Sequence, residues 1–439
     1  MNTTANEVLD FVRENDIKFV RLTFCDILGQ QKNISLIADG LQDAFENGVS
    51  FDAHAIKGFR NVKQSDLLLY PDPTTILVLP WRPGSGRVAR FYCDLKNPDG
   101  SVFENDGRSI LKSVIRRVEE MGLVCKIGAE CEFYLFKTDD DGEPTDTTFD
   151  KGGYLDLAPL DRGEDIRREI CLTLEEMGIK PETSHHEQGP GQNEIDFKFS
   201  SALESADNLQ SFKSAVKAIA ARNGLFASFM PKPIKGAPGS GLHVNISLMQ
   251  DGRNIFKDIG TGSSSIADSF IAGILDRISE ITAFLNPLPN SYERFGEFEA
   301  PKYISWSHQN RSQLIRIPAA VGEKTRMELR SPDPSLNPYL AFALIISAGL
   351  DGIEEGAVLH APVDEDLYTA DESIIEKLVS LPEDLATALE MAEKSDFVKC
   401  IVGQELLSKY IAVKRTEISD FADAVDKASY YRNKYFNII

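Results

Sequence analysis

Residues 128–136, GAECEFYLF, place Glu130 and Glu132 two positions apart in an otherwise apolar run, the period at which side chains share one face of a β-strand. The same alternation returns at 192–199, QNEIDFKF, with Glu194 and Asp196, and at 241–248, GLHVNISL, with His243, Asn245 and Ser247. It returns again at 326–334, RMELRSPDP, with Arg326, Glu328 and Arg330. Each strand has one apolar face and one polar, reactive face, so a sheet built from them sets carboxylates against arginines over a surface suited to metal and anion. Amphipathic helices fall between these strands. Ile110, Leu111, Val114, Val118 and Met121 run up to Gly122; Ile166, Ile170, Leu174 and Met177 run up to Gly178; Leu209, Phe212, Val216 and Ile219 run up to Gly224. Residues 338–355 are apolar enough for a buried helix, and the C-terminal stretch reads as charged helices. The fold class is α+β, with helices covering one side of a curved antiparallel sheet and the site on its concave side.

Upstream the rhythm differs. KFVRLTF (18–24) alternates Val20, Leu22 and Phe24 with polar positions, turns at DILGQ and continues through KNISL; TTILVLPW (74–81) and RVARFYCDL (87–95) read as further strands across the turn-rich RPGSG. The chain therefore divides into a small β-rich domain at 1–104 and a large domain at 105–439, with NPDGSVFENDG (97–107) as the link.

With 439 residues the chain has room for two unequal domains, and its formal net charge of -21 argues against nucleic acid or an anionic membrane as the main partner. Six cysteines without a CxxC pair read as reduced thiols of a cytoplasmic protein. The first sixteen residues form an acidic amphipathic helix rather than a signal peptide, and no apolar run is long enough for a membrane span.

Five carboxylates, Glu130, Glu132, Glu187, Glu194 and Glu328, with His243 form an oxygen-rich donor set that suits two hard divalent ions such as Mg²⁺ or Mn²⁺. Taken singly, each glutamate better fits a solvated strand face or an ion pair, and it is the pattern shared by four strands that reverses this; His185 and His186 read as structural. Arg294, Arg311, Arg316, Arg326 and Arg330 crowd into one short span, and guanidinium groups spread the charge on a transferred phosphoryl group. The Gly/Pro loop MPKPIKGAPGSGLHV (230–244) offers backbone N–H groups to an anion but matches neither the Walker nor the Rossmann pattern. The residues alone reach a two-metal, arginine-rich site for phosphoryl transfer and name no substrate.

HHEQGPGQNEIDF (185–197), FMPKPIKGAPGSGLH (229–243), NSYERFGEFEAP (290–301), NRSQLIRIP (310–318) and RMELRSPDPSLNPYLAFAL (326–344) together resemble the type I glutamine synthetases, most closely their shorter bacterial alpha subgroup. The resemblance implies an N-terminal β-grasp domain and a catalytic domain, assembled as a cytoplasmic homododecamer with active sites between subunits. It implies ATP-dependent joining of ammonium to the γ-carboxylate of glutamate through γ-glutamyl phosphate. Carried over by motif, Glu132, Glu187 and Glu194 would hold one ion and Glu130, His243 and Glu328 another. Arg294, Glu299, Arg311, Arg330 and the loop glycine Gly239 would handle glutamate and the phosphoryl group. Phe199, Ser247, Arg316, Lys324 and Arg326 would face the nucleotide, and Asp52 and Tyr154, with Glu187, the ammonium ion.

The chain departs from the family pattern where FDAHAIKGF (51–59) has His54 and Ala55 in place of serines, where Pro238 replaces an asparagine and where Asn245 replaces a frequent histidine. The flap segment around Glu299 is also one residue short. Two alternatives follow: a γ-glutamyl ligase using another amine, and a non-catalytic regulatory relative. Tyr368, in DEDLYTADES (364–373), lacks the flanking pattern of the tyrosine that longer members adenylylate and reads as an ordinary exposed tyrosine.

Overall fold

The computed structural model describes residues 3–81, 86–259 and 266–439, and most of the turn expected at RPGSG lies outside them. Six strands open the chain: β1 (Ile17–Cys25), β2 (Gln31–Ile37), β3 (Val49–Asp52), β4 (Asp66–Pro71), β5 (Leu77–Val78) and β6 (Arg87–Lys96). They form a sheet ordered β2-β1-β6-β4-β3, with β5 added on β6. All pairs are antiparallel except β1 with β6. Val20, Leu22 and Phe24 are buried as their alternation predicts. At the DILGQ turn one carboxylate oxygen of Asp26 accepts from the backbone N–H groups of Leu28 and Gln30, both at 2.9 Å. Helix α1 (Ala5–Glu14) starts at a Thr4–Glu7 capping box and buries Val8 and Val12.

Two expectations for this domain need correction. TTILVLPW contributes only the two residues of β5: Thr74 and Thr75 are taken up by a 3-10 turn capped by Asp72, and Pro80, which has no N–H to donate, follows two residues after Val78. The sequence reading also passed over helix α2 (Leu41–Asn47) and strands β3 and β4.

The second sheet is assembled on one long strand, β7 (Leu123–Thr138). It also contains β8 (Pro144–Thr148), β9 (Pro181–His186), β10 (Gln192–Phe197), β11 (Ser200–Ser201), β12 (Leu225–Ser228), β13 (Leu242–Gln250), β14 (Arg253–Asn254), β15 (Trp306–His308), β16 (Ile315–Ile317) and β17 (Met327–Leu329). The main path runs β15-β16-β17-β13-β7-β10-β9. It is antiparallel, as expected, apart from the parallel β15–β16 pair at its edge. Helices α3 (Gly107–Glu120), α4 (Glu164–Glu176) and α5 (Ala202–Arg222) occupy the positions their periodicity predicts. Helix α6 (Ile266–Leu285), absent from the sequence expectation, pairs with the buried α7 (Pro338–Glu355). A Cβ on Gly273 would lie 2.7 Å from the Cα of Gly352, so the two backbones approach too closely for side chains there. No helix among the described residues is long and apolar enough to cross a membrane.

Buried charge joins the two sheets. Arg108, 4% exposed, reaches Asp72 at 3.0 Å and Asp94 at 2.8 Å from the first sheet, and Asp207 of α5 at 3.0 Å. Asp207 also accepts from the Tyr339 hydroxyl at 2.7 Å, which ties in α7. Burial opposes the charge on Asp72, yet Arg108 and its other partners hold its carboxyl down at about 2. Arg108→Ala leaves these aspartates without their shared guanidinium, and chemical denaturation should show about 3–5 kcal/mol less stability at neutral pH. Because the folded pKa of Asp72 lies below its ordinary 3.8, its share is complete above that value and is lost as the pH falls through about 2. An Arg108→Ala midpoint equal to wild type would remove this junction from the account.

Candidate active site

Cross-strand register places the polar side chains. On β7, Glu130 faces His243 of β13 on one side and Asp196 of β10 on the other, while Glu132 faces Glu194. On β17, Glu328 faces Asn245 of β13 and Arg316 of β16. Directly opposed residues in a sheet lie about 5 Å apart at Cβ, so charges distant in sequence become neighbours without any loop rearrangement. Glu130, Glu132, Glu194, Asp196, His243 and Arg316 line a cavity of about 540 Å³ that also admits Tyr154, Glu187, Gly239, Arg294, Glu299, Arg311, Arg326 and Arg330, with Glu328 buried behind Arg316 and Arg330.

The acidic wall contains overlapping groups whose ligand atoms lie within 4.8 Å of one another: Glu130, His243 and Glu328; Glu132, Glu194 and His243; and His185, Glu187 and Glu194. The first brings together the set expected for one ion. Glu194 is common to the other two, so Glu132 and Glu187 both meet it. Burial, then the neighbouring Glu187, raises the carboxyl of Glu132 to about 8. Burial, then Glu130, raises Asp196 to about 7, and burial with four acidic neighbours raises Glu194. Buried carboxylates that repel one another, one shared imidazole and no thiolate are a donor set that fits hard divalent cations.

Glu328 behaves oppositely. It is 1% exposed and accepts from Arg316 and Arg330, each at 2.5 Å, with the His243 ring at 3.5 Å. Burial opposes its charge, but Arg330, His243 and Arg316 overcome it and hold the carboxyl near 2. Arg330 is itself buried; its Nη2 donates to the Glu299 carbonyl at 3.2 Å and lies 3.8 Å from the Glu299 carboxylate. Arg311, exposed in its loop, approaches Glu299 at the same 3.8 Å. Arg294 donates to the Ser331 carbonyl at 3.0 Å, and the Nε atoms of Arg294 and Arg330 have no hydrogen-bond partner among the described residues. The floor of this wall is Gly239, where a Cβ would fall 2.5 Å from the Pro231 carbonyl oxygen and 2.6 Å from Arg294.

Five expected residues lie outside the cavity lining: Glu328, which is bonded to two lining arginines, and four others. Phe199 is 64% exposed and packs over Gly128 of β7; Ser247 sits opposite Lys126 further along β13; Lys324 is exposed in the turn before β17. Asp52, at the end of β3, is exposed on the first sheet, accepting from the His54 backbone N–H at 3.0 Å. Conversely, two contributors had no role assigned from sequence, and a third, His185, was read as structural but lies among the acids. Gln192 donates to Glu132 at 2.8 Å, Asp196 sits among the acids, and His185 lies 3.4 Å from Glu194 and 3.6 Å from Glu187. His185 opposes Glu194 across the β9–β10 pair, a register that leaves no local mark in the sequence. His186 is structural, as read, bonded to Asp150 at 2.9 Å.

Comparison with known proteins accords with this geometry. Residues 16–98 match the glutamine synthetase beta-Grasp domain and residues 104–433 the glutamine synthetase catalytic domain. The glutamine synthetase of Methanosarcina mazei is 47% identical over 96% of both chains. That of Clostridium saccharobutylicum is 45% identical over 98% of this chain and 99% of its own. A solved GmaS/ADP complex superposes with a TM-score of 0.87 at 32% identity, covering 97% of this chain and 98% of its own. Both sheets, and the strands that carry the cavity, thus fall within regions shared at this level, and the chain belongs to the glutamine synthetase family.

Proposed function

We propose that the chain is an ATP-dependent glutamate–ammonia ligase that makes glutamine through γ-glutamyl phosphate. The observation that carries the reading is one cavity in which carboxylates with raised pKa values face Glu299, Arg311 and Arg330. One wall suits cations and the other an anion undergoing phosphoryl transfer. Family membership over nearly the whole chain supports the same activity.

Glu130, His243 and Glu328 would hold one divalent ion, Mg²⁺ or Mn²⁺, and Glu132, Glu187 and Glu194 another. Bound there, the ions would supply neutralising charge to the phosphates of ATP. Arg294, with its unpartnered Nε, and the Gly239 backbone orient glutamate in this reading. The γ-carboxylate attacks the γ-phosphorus; its new O–P bond replaces the bond to ADP, and Arg311 and Arg330 spread the charge. Arg316 and Arg326, with Ser247 further along β13, Phe199 beyond β10 and Lys324 in the turn before β17, form the nucleotide side. Ammonium enters beside Tyr154 and Glu187, is deprotonated by Asp52, and displaces phosphate from the acyl carbon. Asp52 reaches that cavity from a neighbouring subunit, which makes a cytoplasmic oligomer, a dodecamer of two hexamers, part of the proposal. The division at residue 104/105 then separates the domain lending Asp52 from the domain doing phosphoryl transfer. Glu299 covers the acyl phosphate, excludes water and accepts the second proton, which the attached nitrogen loses as the amide forms.

Purified protein with ATP and glutamate should form glutamine when ammonium is added. Turnover with other amines but not with ammonium would replace the acceptor, as His54 and Ala55 beside Asp52 allow; ATP binding without turnover would leave a regulatory protein. Chelation should abolish phosphate release, and added Mg²⁺ or Mn²⁺ should restore it. Arg311→Ala should lower kcat on the order of 10³-fold with an unchanged melting temperature, because the side chain is exposed and its nearest acid is only Glu299. A loss below tenfold would take Arg311 out of phosphoryl transfer.

A further inference from the structure

Tyr368 is not an ordinary surface tyrosine. Its residue is 41% exposed, but its hydroxyl donates to the Ala300 carbonyl at 3.3 Å, next to Glu299. The same carbonyl accepts the Gly296 N–H at 2.9 Å, closing a tight loop at 296–300. Within that loop Phe298 and Glu299 have φ of 47° and 66°, left-handed values that non-glycine residues adopt at a cost. Such conformations persist only where surrounding contacts impose them. Around this loop Lys232 reaches the Glu297 carboxylate at 3.1 Å and lies over the Phe298 ring, and Gln188 donates to the Glu299 carboxylate at 3.4 Å. Its backbone carbonyls are held from outside by the Arg330 guanidinium on Glu299 and the Tyr368 hydroxyl on Ala300.

The segment bearing Tyr368 is itself fixed to the Arg311 loop. Val363 donates to the Trp306 carbonyl at 2.9 Å, Asn310 to the Glu365 carbonyl at 2.8 Å, Gln313 to the same carbonyl at 3.2 Å, and Leu367 to the Ser312 hydroxyl at 3.0 Å. Ser307 also bonds to the Asp364 carboxylate. The segment is thus a strap with one edge on the residues flanking Arg311 and its tyrosine on the loop carrying Glu299.

We propose that Tyr368 is a positioning residue: its hydroxyl latches the 296–300 loop to the strap and so sets Glu299 over the reacting carboxylate at a fixed place relative to Arg311. The proposal rests on the ligase reading for its consequence and on geometry alone for the latch. With the latch lost, water reaches γ-glutamyl phosphate. The water oxygen bonds to the acyl carbon, the acyl C–O bond to phosphate breaks with its electron pair leaving on phosphate, and glutamate is regenerated with release of a proton to solvent.

The test is Tyr368→Phe in the full chain, which keeps the ring and removes one hydroxyl. A hydrogen bond of this kind is worth a factor of roughly 2 to 10 in an equilibrium. Backbone amide exchange at Gly296 and Ala300, followed without substrates, should therefore quicken by about that factor, with the melting temperature held. With ATP and glutamate but no ammonium, phosphate release should rise by a similar factor, and with ammonium less than one glutamine should form per phosphate. Unchanged exchange overturns the latch. Faster exchange with glutamine and phosphate still equal overturns its role in coupling. A wild-type protein that forms no phosphate overturns the ligase reading, and the exchange result still decides the latch.

Discussion

The register of β7 is the constraint on which the rest depends. Its sixteen residues pair with β10 on one side and β13 on the other, and its ends carry further strands. Because side chains alternate with period two, a slip of one residue would turn Glu130 and Glu132 into the apolar layer and bring Ala129, Cys131 and Phe133 to the cavity. That error would also bury two carboxylates among the helices, so the hydrophobic core enforces the chemistry of the opposite face. Ala129, Cys131 and Phe133 are all buried in that core, which is how burial on one side fixes charge on the other.

On the polar face, charge is segregated rather than cancelled. Glu328 is surrounded by guanidinium and imidazole groups and is held ionised. Glu132, Glu194 and Asp196 lie a few residues away across the sheet, and their carboxyls are raised by burial and mutual repulsion. The two environments share His243, which groups with Glu132 and Glu194 on one side and lies 3.5 Å from Glu328 on the other. A site so divided presents positive and negative fields within a single cavity, the arrangement needed to hold nucleotide phosphates between cations and arginines.

How much of this was legible in the sequence depended on the range over which each feature is written. Alternation is local, so the reactive faces of β7, β10, β13 and β17 could be read directly, as could the helices ending at Gly122, Gly178 and Gly224. The parallel β1–β6 pair joins residues some seventy positions apart and leaves no local mark. Strand β3 is four residues long, too short for a period to emerge, and the 3-10 turn at Pro73–Thr75 took up the start of a run that looked continuous. The roles of His185 and Tyr368 depend on what lies opposite them, Glu194 across one strand pair and Ala300 across a long loop. Motif resemblance supplied the position of Glu299, which no periodicity marks.

The acidic wall also carries an evolutionary consequence. Replacing Glu194 or Asp196 with its amide would remove a buried like-charge repulsion, so drift toward a more robust fold runs downhill at Glu194, which the proposed ligand set uses, and at its neighbour Asp196. Selection for a sturdier chain and selection for turnover therefore pull in opposite directions on the same few residues. A descendant freed from catalysis would be expected to lose its acids on β10 first, while the arginine-clamped Glu328 stayed for structural reasons alone.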